Sequence, residues 1–483
     1  MEVRVFSTAP ILPGASRRGI GLSGGTILGM GTKAEPAKSR RAFGFWICLA
    51  LVMGNMIGSG VFLLPQQLAP YGWNAVLGWA ITIAGALCLA FVFASLARAI
   101  PRAGGPYAYT AAAFGTVPGF AVAWSYWISV WTANATIAVA AVSYLSHVFP
   151  ALAVAPGLFA IGLVWTFTLV NCLSVKGAGE VQVVTTALKL LPLLAAIWLT
   201  LLVAAGGAAP PTTGDGPSTD IGWSAVTASA ALALWAMVGF ESATIPAGHV
   251  REPERTIPRA TMWGTFATGL VYLIACSGVA LLLPPDVAAN SSAPFADFIG
   301  SYWGAGAALF VALFAAISCL GALNGWVLIQ GEMPLALARD GMFPAWLAKT
   351  SASGAPVRAH LVSSLLVTAL LLANQSRSMG GLFAFMALLS TCASLVAYVS
   401  CSLGALRLQR QGRMPRTTLL TAAAAAGLVY SIWALYGAGA EPVLWGAALL
   451  VSGIPVFLLT ARNRNRGPAV LAASTEQGTT NDG

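Results

Sequence analysis

The chain has 483 residues, of which 58% are hydrophobic and 8% charged, and 25 Lys+Arg against 15 Asp+Glu give a formal net charge of +10. Soluble domains carry about 25% charged residues, so this composition excludes a soluble enzyme, a disordered chain and a secreted disulfide scaffold. The positive balance fits basic residues gathered in cytoplasmic loops better than a nucleic-acid surface, and an all-α integral membrane protein with the lipid bilayer as its solvent is expected.

Residues 1–42 contain five Arg and two Lys and no sustained apolar run. They read as a disordered cytoplasmic tail, without a signal-peptide core. Apolar segments, most of about 20 residues or more, then fall at 43–67, 74–100, 117–149, 157–175, 181–206, 223–248, 260–283, 304–333, 359–374, 381–406, 417–437 and 442–461. Residues 462–483 read as a second disordered cytoplasmic tail. With the N-terminus inside, alternation places 23 of the 25 basic residues inside. Only Arg377 falls outside, and Lys189 falls within a span. Asp215, Asp220, Asp286, Asp297 and Glu441 fall in outer loops. One misplaced span would reverse every later loop and erase this asymmetry. Twelve transmembrane helices with both termini cytoplasmic are therefore expected.

Two spans are interrupted. The first contains GNMIGSG (54–60), with three glycines in seven residues, and the sixth contains LWAMVGFESATIP (Leu234–Pro246), with Gly239, Glu241 and Pro246. Breaks at membrane depth survive only where they line a cavity. Two of them five spans apart are the sequence pattern of a carrier built from inverted repeats, with its substrate at the breaks. The expected repeats are 43–206 and 223–406, five spans each with helices 1 and 6 broken, which form a transport core (43–406) followed by helices 11 and 12 (407–461). The seven cysteines lie in apolar stretches without CxxC spacing, and His147, His249 and His360 are scattered. No metal site and no cofactor is expected.

The break residues suggest a division of labour. Gly58, Ser59 and Gly60 open the half-helix after the first break, where free N–H groups and the dipole suit a carboxylate. Asn55 belongs to the same stretch. Unwinding frees carbonyls, those of Met56, Trp235 and Val238, for an ammonium. Glu241 is an ionisable group at membrane depth, hence a functional candidate; its plainer reading is a protonated acid bonded to a helix carbonyl.

GNMIGSGVFLLP, GGPYAYTAAAFG (Gly104–Gly115), LWAMVGFESA, NGWVLIQGE and ARDGMFP (Asn324–Pro344) together resemble the amino acid–polyamine–organocation permease family. Within it they resemble the basic amino acid/polyamine antiporter branch, and the arginine/agmatine antiporters best. The likeness runs from about 43 to 461. It implies the five-plus-five fold, alternating access without ATP, a homodimer in the inner (plasma) membrane, and an amino acid or amine as the small-molecule substrate. It places Asn134, Trp235, Trp326 and Ser390 around the distal group of the substrate, with Trp326 stacked on a cation. It places Tyr126 at the outer side of the chamber and Glu241 with Tyr398 as a gate pair beneath. Lys189 departs from the arginine/agmatine pattern. It reads either as a proton carrier, together with Glu241 as a pH-sensitive group, or as a lysine whose head is held by carbonyls of span 1 or snorkels to an interface.

The expected function is exchange of a cationic, arginine-like amino acid for its decarboxylated amine or another amino acid. The alternative is proton-coupled symport through Lys189. A non-transporting sensor or a membrane enzyme is a remote reading, since no nucleophile–base pair or metal-ligand cluster is visible.

Overall fold

Backbone N–H and C=O groups inside hydrocarbon find partners only within the chain, so a spanning protein must be helical or a closed barrel. A computed structural model describes residues 44–58, 60–100, 104–173, 178–209, 217–244 and 250–461. Among them lie sixteen α-helices and no strand. They are α1 (Phe45–Met56), α2 (Gly60–Leu68), α3 (Trp73–Ala99), α4 (Pro106–Phe114), α5 (Thr116–Val148), α6 (Pro156–Leu173), α7 (Ala178–Ala204) and α8 (Trp223–Met237). After a 3-10 turn at Phe240–Thr244 come α9 (Pro253–Leu282), α10 (Pro285–Asn290), α11 (Pro294–Trp303), α12 (Ala305–Arg339), α13 (Val357–Ala373), α14 (Met379–Arg410), α15 (Thr418–Gly437) and α16 (Ala440–Val451). The expected tails, Ser59 and Pro246 lie outside the described residues.

Among the described residues nine helices are long and apolar enough to cross a bilayer. The pair α1 and α2, bent by 41° at its break, adds a tenth. α7 (Ala178–Ala204) and the shorter apolar helix Val357–Ala373 fall in the fifth and ninth expected segments. The chain is thus an all-α integral membrane protein.

Burial explains where the polar residues go. The most apolar window of α5 is 94% buried, yet its mean hydropathy is only 1.4, whereas the last span, Ala440–Ala461, is 11% buried with a mean hydropathy of 2.1. A helix wrapped by protein can carry Ser125, Ser129, Thr132, Asn134 and Thr136 in its interior faces, because neighbouring helices rather than lipid meet them. A helix that faces outward must be greasy.

Four pairs of segments pack five positions apart. The broken pair α1/α2 meets α8 and the turn after it, α3 lies along α9, α5 along α12, and α6 along α13. α5 also packs along α14, so it contacts both sides of the molecule's centre. At about 1.5 Å per residue, the 33-residue α5 and 35-residue α12 each run roughly 50 Å.

Candidate functional site

The first break is closed by a three-residue turn. Ile57 has φ −74° and ψ 80°, close to the inverse γ-turn, and Gly58 N–H donates to Met56 O at 2.8 Å. In an unbroken helix that N–H would reach Gly54 O. Gly54 O is bonded instead by Lys189 Nζ at 3.2 Å, and Met56 O by the Tyr272 hydroxyl at 2.7 Å. Two carbonyls released by the turn are therefore bonded by side chains from α7 and α9. Lys189 and Tyr272 are both fully buried.

The second break starts where Val238 turns extended (φ −63°, ψ 136°) after α8. Gly239 follows at φ +113°, a conformation that glycine adopts without steric cost. The two breaks touch. A Cβ on Gly239 would sit 3.4 Å from the carbonyl of Asn55, and a Cβ on Gly60 would come within 2.8 Å of Trp235 Nε1. The missing side chain at Gly60 is what lets Trp235 come so close, whereas Gly239 is needed for its backbone conformation, since a Cβ there would make only ordinary contact.

Between them lies a cavity of about 20 Å³, room for one or two water molecules. The first break contributes Asn55, Met56, Gly58 and Gly60 to its wall, and the second Trp235, Ala236 and Val238. α5 adds Ser129, Ala133 and Ile137 at helical spacing, α12 adds Trp326 and α14 adds Ser390. Ser129 Oγ donates to Tyr126 O at 2.7 Å, and Ser390 Oγ donates to Ser129 O at 2.8 Å. With their hydrogens committed to the backbone, both hydroxyls can only accept from a ligand. Trp235 Nε1 is buried without a partner. No carboxylate is on the wall among the described residues.

Glu241 is fully buried and accepts three hydrogen bonds. Tyr126 Oη donates to Oε1 at 2.9 Å, Tyr398 Oη to Oε2 at 3.1 Å, and Gly239 N–H to Oε2 at 3.2 Å. Phe93, Phe240 and Tyr398 form an aromatic cluster behind the carboxyl, with ring centroids 5.0 to 5.7 Å apart. Tyr126 thus stands apart from the outer position that the resemblance implies. It lies one turn toward the start of α5 from the wall residue Ser129 and shares one carboxyl with Tyr398, so the three groups form one cluster on one side of the cavity.

Asn134 does not reach the wall. It lies one residue round α5 from Ala133, turned toward α12, and its Nδ2 donates to Gln330 Oε1 at 2.8 Å. The structure adds three residues that the sequence did not suggest, Ser129, Tyr272 and Gln330. Ser129 had a signal in its spacing, eight residues before Ile137 and four before Ala133 on one helix face. Tyr272 and Gln330 had none, because the partners that give them meaning lie 216 and 196 residues away.

The amino acid permease family profile matches residues 43–460. Over 342 residues the chain is 38% identical to the cadaverine/lysine antiporter of Escherichia coli, covering 69% of this chain and 75% of that protein. It is 31% identical over 404 residues to a putative arginine/ornithine antiporter of Bacillus subtilis, covering 77% and 85% of the two chains. With the putrescine transporter PotE of Escherichia coli it shares 28% identity over 423 residues, 85% of this chain and 94% of the other.

Proposed function

The chain belongs to the amino acid permease family, and from that premise we propose that it exchanges a cationic amino acid for the amine left by its decarboxylation, or for a second amino acid, by alternating access. It is a membrane transporter of small molecules and not an enzyme. The observation that carries the proposal is the polarity of the cavity wall. Ser129 and Ser390 present only lone pairs, Trp235 and Trp326 present aromatic surface, and among the described residues no acid lines it. Such a wall suits a group rich in N–H donors, and a cation over an indole gains up to about 2 kcal/mol when desolvated. Without a fixed counter-charge the ligand can also leave, as exchange requires. At the other end Ser59 and Gly60 take the carboxylate, since Gly58 N–H is already bonded to Met56 O, and Asn55 with Trp235 and Val238 surrounds the ammonium, since Met56 O, freed in expectation for that role, already accepts from Gly58 N–H and from the Tyr272 hydroxyl. Tyr126, Glu241 and Tyr398 form the gate.

The substrate class is lysine, ornithine and arginine with their matching amines. The motifs favour arginine, and the name of the 38% identical relative favours lysine. In proteoliposomes, labelled lysine or arginine is expected to enter only when the lumen holds cadaverine, agmatine or another counter-substrate. Equal entry into empty vesicles would rule out obligatory exchange, and no entry at all would leave a sensor.

Lys189 supports a second reading, proton-coupled uptake. Its buried ammonium bonds Gly54 O at the first break and forms no ion pair among the described residues. Lys189→Ala should then abolish accumulation driven by a pH gradient while exchange continues. Accumulation that survives the substitution removes this reading.

The five-apart packing of four segment pairs supports repeats at 43–206 and 223–406. The basic residues gathered on one side of the threading support an inner-membrane protein with both termini cytoplasmic. A homodimer completes the proposal, and cross-linking in native membranes tests it.

A further inference from the structure

A second and larger chamber lies along the same elements as the central cavity. It measures about 540 Å³, within the range of about 300–1,000 Å³ that small-molecule sites occupy, against about 20 Å³ at the breaks. Gly60, Ile137 and Ser390 line the central cavity, and Gln66, Ser143 and Gly381 line the larger one. These positions stand six residues further along α2, six further along α5 and nine back along α14, a rise of roughly 9 to 14 Å. All three steps run toward the face that the proposed threading makes external.

Polar atoms make up a larger part of this wall than of the central one. Ser143 Oγ donates to Ser292 O and Ser146 Oγ donates to Ser143 O, each at 2.7 Å. A carbonyl can only accept, so the direction of both bonds is fixed and each hydroxyl keeps only lone pairs to offer. Both serines are more than nine-tenths buried. Asn290 Nδ2 donates to Asp286 O at 2.8 Å, again a carbonyl, and leaves the amide oxygen as the accepting end. Gln66 and Gln67 bond each other at 3.3 Å and complete the polar wall. Pro150 and Met379 add apolar surface, and among the described residues no charged side chain lines the chamber.

We infer that this chamber is an outer waiting site, which holds a lysine-like amino acid or a diamine by a protonated amine on Ser143, Ser146 and Asn290 until the central cavity opens. Hydroxyls without a hydrogen to give select a ligand rich in N–H, and the apolar surface suits its methylene chain. A wall without a counter-charge holds such a ligand loosely enough to pass it inward. A central cavity with room only for water gives an arriving substrate no place at the breaks, so it must wait further out. The inference deepens the proposed exchange of cationic substrates and rests on it and on its threading.

The test reads occupancy of the chamber directly. Ala289→Cys places a thiol on its wall, and the native cysteines, buried or half-buried, give a low background. An impermeant maleimide is applied to intact cells. Lysine and cadaverine should slow its reaction with the new thiol, whereas norleucine, the same carbon chain as lysine without the terminal amine, should not. Protection should persist with Trp326→Ala, which removes the aromatic face of the central cavity. Ser146→Ala should raise the lysine concentration needed for half protection about threefold, the weight of one hydrogen bond. Asn290→Lys, at an exposed position, fills the site with a tethered ammonium and should abolish protection; it serves if Ser146→Ala does not accumulate. No protection, equal protection by norleucine, or protection that vanishes with Trp326→Ala would each overturn the waiting site. Exchange by the unaltered protein is measured separately in proteoliposomes, and its absence would remove the carrier reading whatever the labelling shows.

Discussion

Tyr272 shows what a broken helix asks of its neighbours. Its ring packs on Trp79 with centroids 5.6 Å apart, and its hydroxyl reaches the carbonyl of Met56. Tyr272→Phe keeps the ring and removes the donor. The expected loss is about 0.5–1.5 kcal/mol, read as a lower melting temperature in detergent, and an unchanged melting point would mean that the carbonyl finds another partner. Gly60→Ala tests the opposite kind of residue. Its methyl would collide with Trp235, so the indole must shift from the wall, and substrate affinity should fall at least tenfold, a cost in the range of overpacking, while the protein still folds. Gly60 was legible in the sequence as a candidate because three glycines in seven apolar residues suit either a break or close helix packing, and a second break five spans on favours the break. Tyr272 was not, since a tyrosine in an apolar helix looks the same whether its hydroxyl caps a break or rests at an interface. For Tyr126 the resemblance implied the outer side of the chamber, and its bond to Glu241 was not legible. A turn of depth along α5 decides which cluster it joins, and only the position of Glu241 fixes that.

At the scale of an element, α4 gives the GGPYAY motif a physical reading. Gly104 and Gly105 turn the chain at φ +107° and +52°, and Pro106 starts the helix at a position where its missing N–H costs nothing. The short helix is then tied to two long ones. Tyr107 Oη donates to Asp340 Oδ2 at the end of α12 at 2.5 Å, and Arg413 beyond α14 donates to Ala112 O at 2.7 Å. Burial, and then Asp340, push the Tyr107 phenol above its usual value of 10. It therefore remains a donor at neutral pH. The unfolded phenol loses its proton near pH 10 while the folded one keeps it, so its contribution is complete below that pH and fades above it. Tyr107→Phe should destabilise by about 1 kcal/mol, equally at pH 6 and pH 8, in thermal melts. A difference between those two pH values would show that another group controls the contact. The broken elements themselves were readable from GNMIGSG and VGFE, whereas the contact between Gly239 and Asn55 was not, because it depends on how two halves of the chain are laid together.

For the whole molecule, burial sorts the helices from a wrapped α5 to a last span that faces outward with Leu444, Trp445, Leu458 and Leu459 exposed. Charge placement made the number and direction of the crossings an expectation of the sequence; helix length alone leaves the ninth segment, α13, short at 17 residues. A topology experiment decides it. Five of the seven native cysteines are buried and two half-buried, so their background reaction is low. Asp286 and Gln411 are exposed. With an impermeant maleimide, Asp286→Cys should react in intact cells and Gln411→Cys only after permeabilisation. Labelling of both from one face would break the proposed threading.

A chamber no larger than a pair of water molecules is smaller than any amino acid. Cargo must push the wall apart before it can settle, so part of its attraction for the site goes into prying rather than holding. Tight retention is then not to be expected, and discrimination rests on which molecule can force entry. Since both breaks contribute to one cavity wall, a wedge at one meets the other. In the proposed cycle that mechanical link, rather than any lock, is what makes an unladen return journey rare.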